Sequence, residues 1–447
     1  MILPQIPLDL DLLPETKGVY IVGGTTRDLL LGRTPVDYDI AVSQNPEVFA
    51  EMTAARGQAR LVRMGRPGKR SYRVVAGKTV LDITGVNGPT IRHDLYRRDV
   101  TINAMAIEAA SGTLLDWVEG QKDLSKKRIR MVSEKGLQDD PIRLLRVFRL
   151  AATLGFQIEE STLSAVSQHA HMINFSAGER IRAELYKIFS NRHSTSQVAA
   201  MAETGLLSAV LPELTLHPDT PGAPHGNFLS AYNHLENLLN HPPSGLGAKT
   251  IKTELPWFSD QAAWQKFAIL MPPGACEPSR QTDGIDPVTS ACRRLRLSVK
   301  EKAFVTGILH HTPCLFHLHN TYVKKSLTPL AVTQFFMAID SLVPHLLLHG
   351  LAKTRGDAAN LTMDPTAFPD FARHMLHAYR TTFLPRKARP PLVTGRDLMT
   401  VFGLAPSLLF KKILVRVEES RLSGDIADRK SALEMAGNLI PGKRTAV

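Results

Sequence analysis

The sequence predicts an α+β protein with a small mixed β-sheet and helices at its N-terminal end, followed by an all-α remainder. Residues 18 to about 130 alternate short β-like runs with helical stretches. From about residue 131 onward, apolar residues recur at i, i+3 and i+4, as in residues 142–154 and 181–189. A chain of 447 residues with 43% apolar content can bury large cores, and its length suggests about three domains.

The first β-like run, residues 19–22, leads directly into Gly23 and Gly24. Glycines lack a Cβ, so their backbone N–H groups can approach a phosphate closely. The amphipathic segment after them would present its helix N-terminus to the same anion. A double glycine alone is weak support for a phosphate site, and it gains weight only from acidic residues at a suitable distance downstream.

Two acidic residues, Asp37 and Asp39, stand just before the apolar run of residues 40–42. On a strand, residues i and i+2 share a face, so both carboxylates would point the same way and Tyr38 would point away. Adjacent anions are stable together mainly around a cation, and Mg²⁺ prefers oxygen ligands completed by substrate phosphates. Two such ions can activate an attacking hydroxyl and stabilise a leaving pyrophosphate, which indicates nucleotidyl transfer. The alternative is a solvated turn after Pro35.

Asp140 and Arg143 are three residues apart in a stretch with helical periodicity. At this spacing a carboxylate acceptor and a guanidinium donor lie on one helix face and can meet the edge of a nucleobase together. The alternative is an ordinary ion pair on the helix surface. Farther upstream, Thr101 and Asn103 could contact a ribose or a phosphate. The alternative is that Arg97, Arg98 and Asp99, which precede them, begin a basic strand at the protein surface.

Five motifs occur in a fixed order in the first 190 residues, and with them the chain resembles the class II tRNA nucleotidyltransferase and bacterial poly(A) polymerase family. The first contains Gly23, Gly24, Arg27, Asp28, Leu31, Gly32, Asp37 and Asp39, and the others lie at residues 97–105, 116–124, 139–146 and 179–185. Val100 stands where the family more often has phenylalanine, and Asp139 where it often has glutamate.

The resemblance implies roles for individual residues. Asp37 and Asp39 would be catalytic and hold two Mg²⁺ ions, with Asp82 as a possible third carboxylate or a plain surface aspartate. The residues implied to bind the nucleotide are Gly23, Gly24, Arg27, Asp28, Arg98, Asp99, Asn103, Asp140, Arg143 and Arg146, and those implied to support the neck helix are Glu179, Arg180 and Arg182.

The resemblance also implies an order of domains. We expect a nucleotidyltransferase head at 1–130, a base-reading helical neck at 131–200, a helical body with a degenerate HD-like region at 201–385, and an RNA-binding tail at 386–447. Residues 267–274 fall where relatives carry a metal-binding His-Asp pair, but Met271 and Pro272 cannot replace one. We therefore expect no phosphohydrolase activity. The histidines of residues 310–319 are too irregularly spaced to favour a metal site.

A formal charge of +12 favours a polyanionic partner, and the resemblance makes this the tRNA acceptor arm with CTP, ATP or both. Each basic cluster taken alone, such as residues 122–128, is more typical of a solvated face. We expect no membrane segment, since no run approaches 18 apolar residues, and a cytoplasmic location. Three cysteines without CxxC spacing indicate neither disulfides nor zinc.

Residues 84–90 are a short connection where relatives that add a terminal adenosine typically carry a longer flexible loop. A short connection favours a pocket that stays in its CTP-reading state, and hence CC addition. The alternatives left open are CCA addition, A addition, poly(A) synthesis and a non-catalytic RNA-binding protein on the same scaffold.

Overall fold

The computed structural model describes residues 7–14, 17–66, 69–215, 226–241, 261–271, 286–356, 364 and 366–441. The chain divides into two compact units, Met1–Pro212 and Glu213–Val447. The first unit contains the β-sheet and the second is helical in its described residues, which confirms the predicted fold class. The finer division into head, neck, body and tail stays a prediction.

The first unit is built on a seven-stranded mixed sheet with the strand order β3-β4-β5-β2-β1-β6-β7. Its strands are β1 (Val19–Val22), β2 (Asp37–Val42), β3 (Arg60–Arg66), β4 (Lys69–Ala76), β5 (Thr79–Gly85), β6 (Ala106–Glu108) and β7 (Leu114–Leu115). The β2–β5 pair is parallel and the other pairs are antiparallel. The β-like runs of the sequence therefore all lie in this one sheet.

Both faces of the sheet are covered because successive apolar residues of the central strands point to opposite sides. Ile21 and Ile40 pack with α2 (Pro46–Arg56) in one core cluster. Val22 and Ala41, one position along, pack with α3 (Ile91–Tyr96) in another. The edge of the sheet where β2 begins is left for polar residues.

Helices occupy the rest of the first unit. Besides α2 and α3 these are α1 (Gly23–Leu30), α4 (Gly120–Ser125), α5 (Glu134–Asp139), α6 (Arg143–Leu154), α7 (Glu160–His169), α8 (Gly178–Phe189), α9 (Thr195–Glu203) and α10 (Leu206–Val210). Short 3₁₀ helices lie at Leu10–Leu12, Thr101–Asn103 and Ala170–Phe175. One departure from the all-helical expectation is a parallel pair of two-residue strands, β8 (Arg128–Ile129) and β9 (Gln157–Ile158).

The described part of the second unit is a stack of helices around a large apolar core. They are α11 (Gly226–Asn240), α12 (Ala262–Leu270), α13 (Pro287–Arg294), α14 (Val299–Val323), α15 (Pro329–Ile339), α16 (Val343–Gly356), α17 (Phe368–Ala378), α18 (Leu384–Lys387), α19 (Gly395–Phe402), α20 (Leu408–Ser423) and α21 (Arg429–Asn438). Thr394 and Asp397 form a capping box at the start of α19, as their spacing indicates.

The stretch Pro329–Gly356 has the length and hydropathy of a membrane-spanning helix, which the sequence analysis did not anticipate. It is not one continuous helix, since α15 and α16 are separated by a 3₁₀ turn at Asp340–Leu342. In its most apolar 18-residue window, 72% of the residues are buried inside the protein. Burial in the core of the second unit accounts for this apolar composition.

Candidate active site

The two acidic residues of β2 lie on one face of the strand, as the period-two pattern predicts. Asp37 and Asp39 are partly exposed, whereas Tyr38 between them is buried and donates its hydroxyl to the Pro7 carbonyl at 2.8 Å. Thr25 in α1 fixes the strand at this point, because its hydroxyl accepts from the Asp39 N–H at 2.8 Å and donates to the Asp37 carbonyl at 3.2 Å. The solvated turn considered as the alternative is therefore excluded.

Gly23 and Gly24 begin α1 directly beside these carboxylates. Gly23 has φ +68°, and a Cβ there would lie 3.0 Å from Asp39 Oδ2 and 3.0 Å from Arg98 Nη1. The Gly24 N–H lies close enough to Asp39 to act toward lowering the pKa of its carboxyl group. The N-terminus of an eight-residue helix, with no side chain capping it, thus opens onto an acidic site that has no room for a further side chain.

A third carboxylate, Asp82, stands on β5 in register with Asp39. Its two oxygens accept from Arg73 Nε and Nη2 at 2.7 and 2.6 Å. The same guanidinium reaches Asp37 Oδ2 at 3.7 Å. Asp82 therefore belongs to the acidic cluster, and Arg73, which the sequence analysis did not single out, holds both of its oxygens.

The pKa of Asp39 is raised above its ordinary value, first by burial and then by the negative charges of Asp82 and Asp37. The Arg98 charge and the Gly24 N–H act in the opposite direction and do not offset the rise. A carboxylate held near like charges is stabilised in its ionised form by a bound cation.

The cationic wall of the site is a chain of paired arginines. Arg98 donates to Asp94 Oδ2 at 2.9 and 3.1 Å through Nη2 and Nε. Arg27 donates to Asp28 Oδ1 and, through Nη1, to Asn103 Oδ1 at 2.8 Å. Thr101 to Asn103 form a 3₁₀ helix rather than a strand start, so Asn103 lies across from α1.

Asp99 is 5% exposed and accepts from Arg146 Nε at 2.7 Å. Burial acts to raise the Asp99 pKa, but the Arg146 charge and hydrogen bond, the Val100 N–H and Asn103 outweigh it, so the pKa is lowered. Asp99 is therefore held as a carboxylate inside the protein, where it orients both Asn103 and Arg146.

Asp140 and Arg143 do not share a helix, which corrects the geometry expected from their spacing. Asp140 has extended backbone between α5 and α6, and Arg143 is the first residue of α6. Asp140 accepts both terminal nitrogens of Arg180 at 2.9 and 2.8 Å. Arg143 Nη1 donates to the Arg97 and Gly136 carbonyls at 2.6 and 2.7 Å. Both nevertheless line the same cleft as the acidic site.

The residues expected to support the neck lie on α8. Arg180 makes a bidentate pair with Asp140 in the turn between α5 and α6. Glu179 is exposed in the first turn of α8 and Arg182 is half-buried three residues farther on. A second support that the sequence analysis missed is Asp123, which is fully buried and accepts from Thr101, Arg128 and Arg130.

The cleft has a volume of about 210 Å³. It is lined by Gly23, Gly24, Asp39, Arg98, Asp99, Asn103, Asp140, Arg143 and Arg146, all of which the sequence analysis had predicted to lie in the site. In the described part of the chain, no group of three or more His, Cys, Asp or Glu side chains is arranged to hold a metal. Two carboxylates suffice for Mg²⁺ when waters and substrate phosphates complete its shell.

Residues 201–385 were expected to contain a degenerate metal-binding region. In their described part, Lys266 of α12 is buried and pairs with Glu236 of α11 at 2.6 Å. The pKa of His234 is lowered, first by burial and then by Arg355. His225 and residues 272–274 lie outside the described residues. On α14, His310 faces Asp286, His311 faces the Gly307 carbonyl, and His319 is buried among phenylalanines.

Comparison with known proteins extends these observations over most of the chain. The model of the poly(A) polymerase head domain matches residues 19–87 and 53–130, and that of the probable RNA- and SrmB-binding site of polymerase A matches residues 155–216. The CC-adding tRNA nucleotidyltransferase of Thermus thermophilus is 36% identical over 93% of this chain and 92% of its own. The CCA-adding enzyme of Lactococcus lactis is 32% identical over 93% and 91%.

Relatives named for A addition also match the chain. Among solved structures, a CCA-adding enzyme in complex with ATP aligns with a TM-score of 0.68 at 22% identity. The alignment covers 96% of this chain and 91% of that one, so the two chains share their fold over most of their length.

Proposed function

The chain belongs to the family of tRNA nucleotidyltransferases and poly(A) polymerases, and we propose that it adds CMP from CTP to the 3′ end of tRNA, stopping after CC. The enzyme class follows from the family. We propose in addition the RNA substrate, the nucleotide added and the roles of individual residues. We place the reaction in the cytoplasm, where tRNA is processed.

The observation that carries this proposal is the placement of Asp37 and Asp39 on one face of β2, beside the N-terminus of α1. A CTP triphosphate would lie against the backbone N–H groups that begin α1, next to the Arg98 guanidinium. Arg27, Asp28 and Asn103 form the adjoining network that would seat the sugar and phosphates. The tight space over Gly23 fits a phosphate oxygen approaching the backbone and fits no additional side chain.

Two Mg²⁺ ions held by Asp37 and Asp39 would supply activation of the RNA 3′-hydroxyl and charge neutralisation on the leaving pyrophosphate. Asp82 would act through Arg73, which it holds close to Asp37. Asp99 would keep Arg146 and Asn103 in place at the floor of the cleft. Each of these side chains positions or neutralises charge, as expected for a reaction in which the protein forms no covalent bond to the nucleotide.

Asp140 and Arg143 would read the base. A carboxylate accepts from the exocyclic amine of cytosine, and a guanidinium donates to its ring nitrogen and carbonyl. Although Arg180 holds both Asp140 oxygens, a carboxylate has about four lone-pair directions, so Asp140 can accept from cytosine without releasing Arg180. The Arg180 pair would then fix the orientation of the reading carboxylate.

The short connection between β5 and α3 supports CC addition over the alternatives. It spans residues 86–90 and is held where it begins, since the Val86 N–H donates to the Val42 carbonyl and the Asn87 side chain accepts from Arg97 Nη1 at 3.0 Å. The Asn87 N–H also donates to Asp94 at 3.1 Å. A connection held in this way cannot act as a long lever that converts a cytidine pocket into an adenosine pocket.

The decisive experiment supplies purified protein with each labelled NTP and a tRNA lacking its last three nucleotides. We expect two CMP additions and no AMP addition. Efficient AMP addition to a tRNA already ending in CC would replace CC addition by CCA or A addition. Long A tails on unrelated RNA would indicate a poly(A) polymerase.

We propose that the body, residues 201–385, has no phosphohydrolase activity. Incubation of the protein with phosphodiester substrates should therefore release no product.

A non-catalytic RNA-binding protein is the competing function. The variant with Asp37→Ala and Asp39→Ala separates the two. If the proposed site is catalytic, CMP transfer is lost in this variant. Binding of tRNA should be retained or strengthened, because two negative charges near the RNA phosphates have been removed. Retention of CMP transfer would refute the assigned site.

A further inference from the structure

An arginine between two partly exposed aromatic rings lies on the first unit, outside the cleft. The Arg92 guanidinium carbon is 5.6 Å from the Tyr96 ring centroid and 5.7 Å from that of Trp117. Tyr96 is 41% exposed and Trp117 is 38% exposed. The Tyr96 hydroxyl donates to the Trp117 carbonyl at 3.3 Å, so the two aromatic residues are held together. We call Arg92, Tyr96 and Trp117 the aromatic platform.

The fold presents the platform on one side of α3. Ile91 and Leu95 are four residues apart and pack into the core, while Arg92 and Tyr96, one position farther along, form an exposed pair. Trp117 lies in the turn before α4, where Asp116 accepts from the N–H groups of Val118, Gly120 and Gln121. The ring is therefore carried by a fixed turn rather than by a free loop.

Both supports of the platform continue directly into the cleft. Tyr96 precedes Arg97, whose carbonyl accepts from Arg143 Nη1 at 2.6 Å, and Arg98, which lines the cleft. The Cα atoms of Tyr96 and Arg98 are at most about 7.6 Å apart, because consecutive Cα atoms are about 3.8 Å apart. On the other side, Gly120 packs against Thr101, so that a Cβ there would lie 2.5 Å from the Thr101 carbonyl. Thr101 begins the 3₁₀ helix that carries Asn103.

We propose that the aromatic platform stacks an unpaired nucleobase of the RNA substrate adjoining its 3′ end. The inference rests on the proposed function, because it assigns a place to the RNA strand that the reaction extends. Flat rings stack on any base, and a guanidinium adds attraction both to a base and to the neighbouring phosphate. The incoming CTP is already accommodated by the cleft through Asp140 and Arg143, so the occupant of the platform is the RNA and not the free nucleotide.

The charge around the platform agrees with an RNA occupant. Arg92 is exposed and none of the ion pairs of the described chain includes it, so its charge is available to a phosphate. Arg97 next to Tyr96 adds a second cation, bound by the neutral Asn87 side chain. Stacking on partly exposed aromatic residues is the usual way in which proteins hold unpaired RNA nucleotides.

The kinetic test compares Trp117→Ala with Trp117→Phe and with Met52→Ala, which removes an exposed apolar side chain from α2 of the first unit, outside the cleft. Trp117→Ala is expected to raise KM for tRNA about tenfold, within the range measured for loss of one stacked base, and to leave KM for CTP unchanged. Trp117→Phe should retain KM for tRNA within about threefold. Met52→Ala should match the unaltered protein. An unchanged KM for tRNA in Trp117→Ala would overturn the proposal.

A binding test separates this inference from the proposed activity. Tryptophan fluorescence, to which Trp117 contributes together with Trp257 and Trp264, is measured during titration with an RNA hairpin ending in one unpaired 3′ nucleotide, with a blunt hairpin, and with CTP alone. The overhang hairpin should quench the emission, and this quenching should be lost in Trp117→Phe. Equal quenching by the blunt hairpin or by CTP would refute stacking of an unpaired RNA base. Absence of CMP transfer with intact, overhang-dependent quenching would refute the proposed reaction and leave the platform standing.

Discussion

At the residue scale, both the backbone conformation and the limited space around it require glycine at position 23. Its φ of +68° disfavours any L side chain, and a Cβ would press on both Asp39 Oδ2 and Arg98 Nη1 at 3.0 Å. Gly23→Ala is therefore expected to lower the free energy of unfolding by about 1 kcal/mol and kcat/KM for CTP by at least about tenfold. Steady-state kinetics and urea denaturation measure the two effects.

Gly24 provides the matched control. Its φ is not in the left-handed region, and the nearest atom to a Cβ there is Arg27 Nη2 at 3.5 Å, an ordinary contact. Because Gly24 also lines the cleft, Gly24→Ala should lower kcat/KM for CTP, but by less than Gly23→Ala does. If both substitutions had the same small effect, crowding of the carboxylate at Gly23 would not be part of the catalytic geometry.

The single residues that the sequence identified are those whose function depends on local spacing. Asp37 and Asp39 share a face because side chains alternate along any strand, and Gly23 follows β1 directly. Their partners were not predictable. Arg73 holds Asp82 across neighbouring strands, and Arg180 reaches Asp140 from 40 positions away in sequence. Such pairs depend on how elements pack, which no local pattern specifies.

At the element scale, the ion pair of Asp99 and Arg146 fastens α6 to the segment that precedes the 3₁₀ helix. Arg146→Gln removes the charge that compensates a carboxylate exposed by only 5%. Since Arg146 itself remains partly exposed, we expect a loss of about 2 kcal/mol in unfolding free energy rather than the full cost of a deeply buried pair. Urea denaturation monitored by circular dichroism gives the value.

Arg146→Lys distinguishes charge from geometry in this pair. It keeps the positive charge but loses the planar donor that meets Asp99 Oδ2, so it should recover part of the stability and less of the affinity for CTP. An Arg146→Gln protein as stable as the original would show that Asp99 is protonated or solvated, contrary to the lowered pKa of its carboxyl group.

Packing between helices of the second unit depends on Gly350 of α16. A Cβ at this position would lie 2.4 Å from Phe368 Cζ and 2.8 Å from Leu315 Cδ2, both in the core. We expect Gly350→Ala to lower the unfolding free energy by about 2 kcal/mol through overpacking. Gly395→Ala, whose Cβ would meet nothing closer than 3.6 Å, should be neutral or slightly stabilising, and thermal unfolding compares the two.

Helix periodicity in the sequence located α6 and α8 to within a few residues, yet it misplaced Asp140. The chain between α5 and α6 turns at Asp140, Pro141 and Ile142, so the i, i+3 rule did not apply across it. Pro141 stands in that turn, consistent with the extended backbone that a following proline favours at Asp140. The boundary was ambiguous because helices often begin within a residue or two of a proline.

At the scale of the whole molecule, the second unit buries two histidines whose protonation affects its stability. His345 and His349 of α16 are both fully buried. His345 Nδ1 faces Gln265 Oε1 at 2.8 Å, and neither ring nitrogen of His349 has a hydrogen-bond partner in the described chain. Burial lowers the pKa of His345 to about 3, and burial followed by the Lys353 charge lowers that of His349 well below its ordinary value.

These shifts fix the sign of the response to acid. Both imidazoles are neutral in the folded unit, whereas the unfolded chain protonates them below a pH of about 6.5. The stability of the second unit is therefore complete above that pH and falls as the pH drops toward 3, by up to about 1.4 kcal/mol per pH unit for each histidine. Urea midpoints at pH 7, 6 and 5 should decrease accordingly. They are followed by tryptophan fluorescence in a Trp117→Phe background, where the tryptophans left, Trp257 and Trp264, both belong to the second unit.

His349→Leu should make the second unit less sensitive to acid, because it removes one proton taken up on unfolding and fills the same apolar site. His317→Leu is the control, since His317 lies exposed on α14 and should leave the pH dependence unaltered. If the midpoint fell equally steeply in His349→Leu and in the original protein, other groups would have to set the acid response. A midpoint independent of pH between 7 and 5 would contradict neutral burial of both histidines.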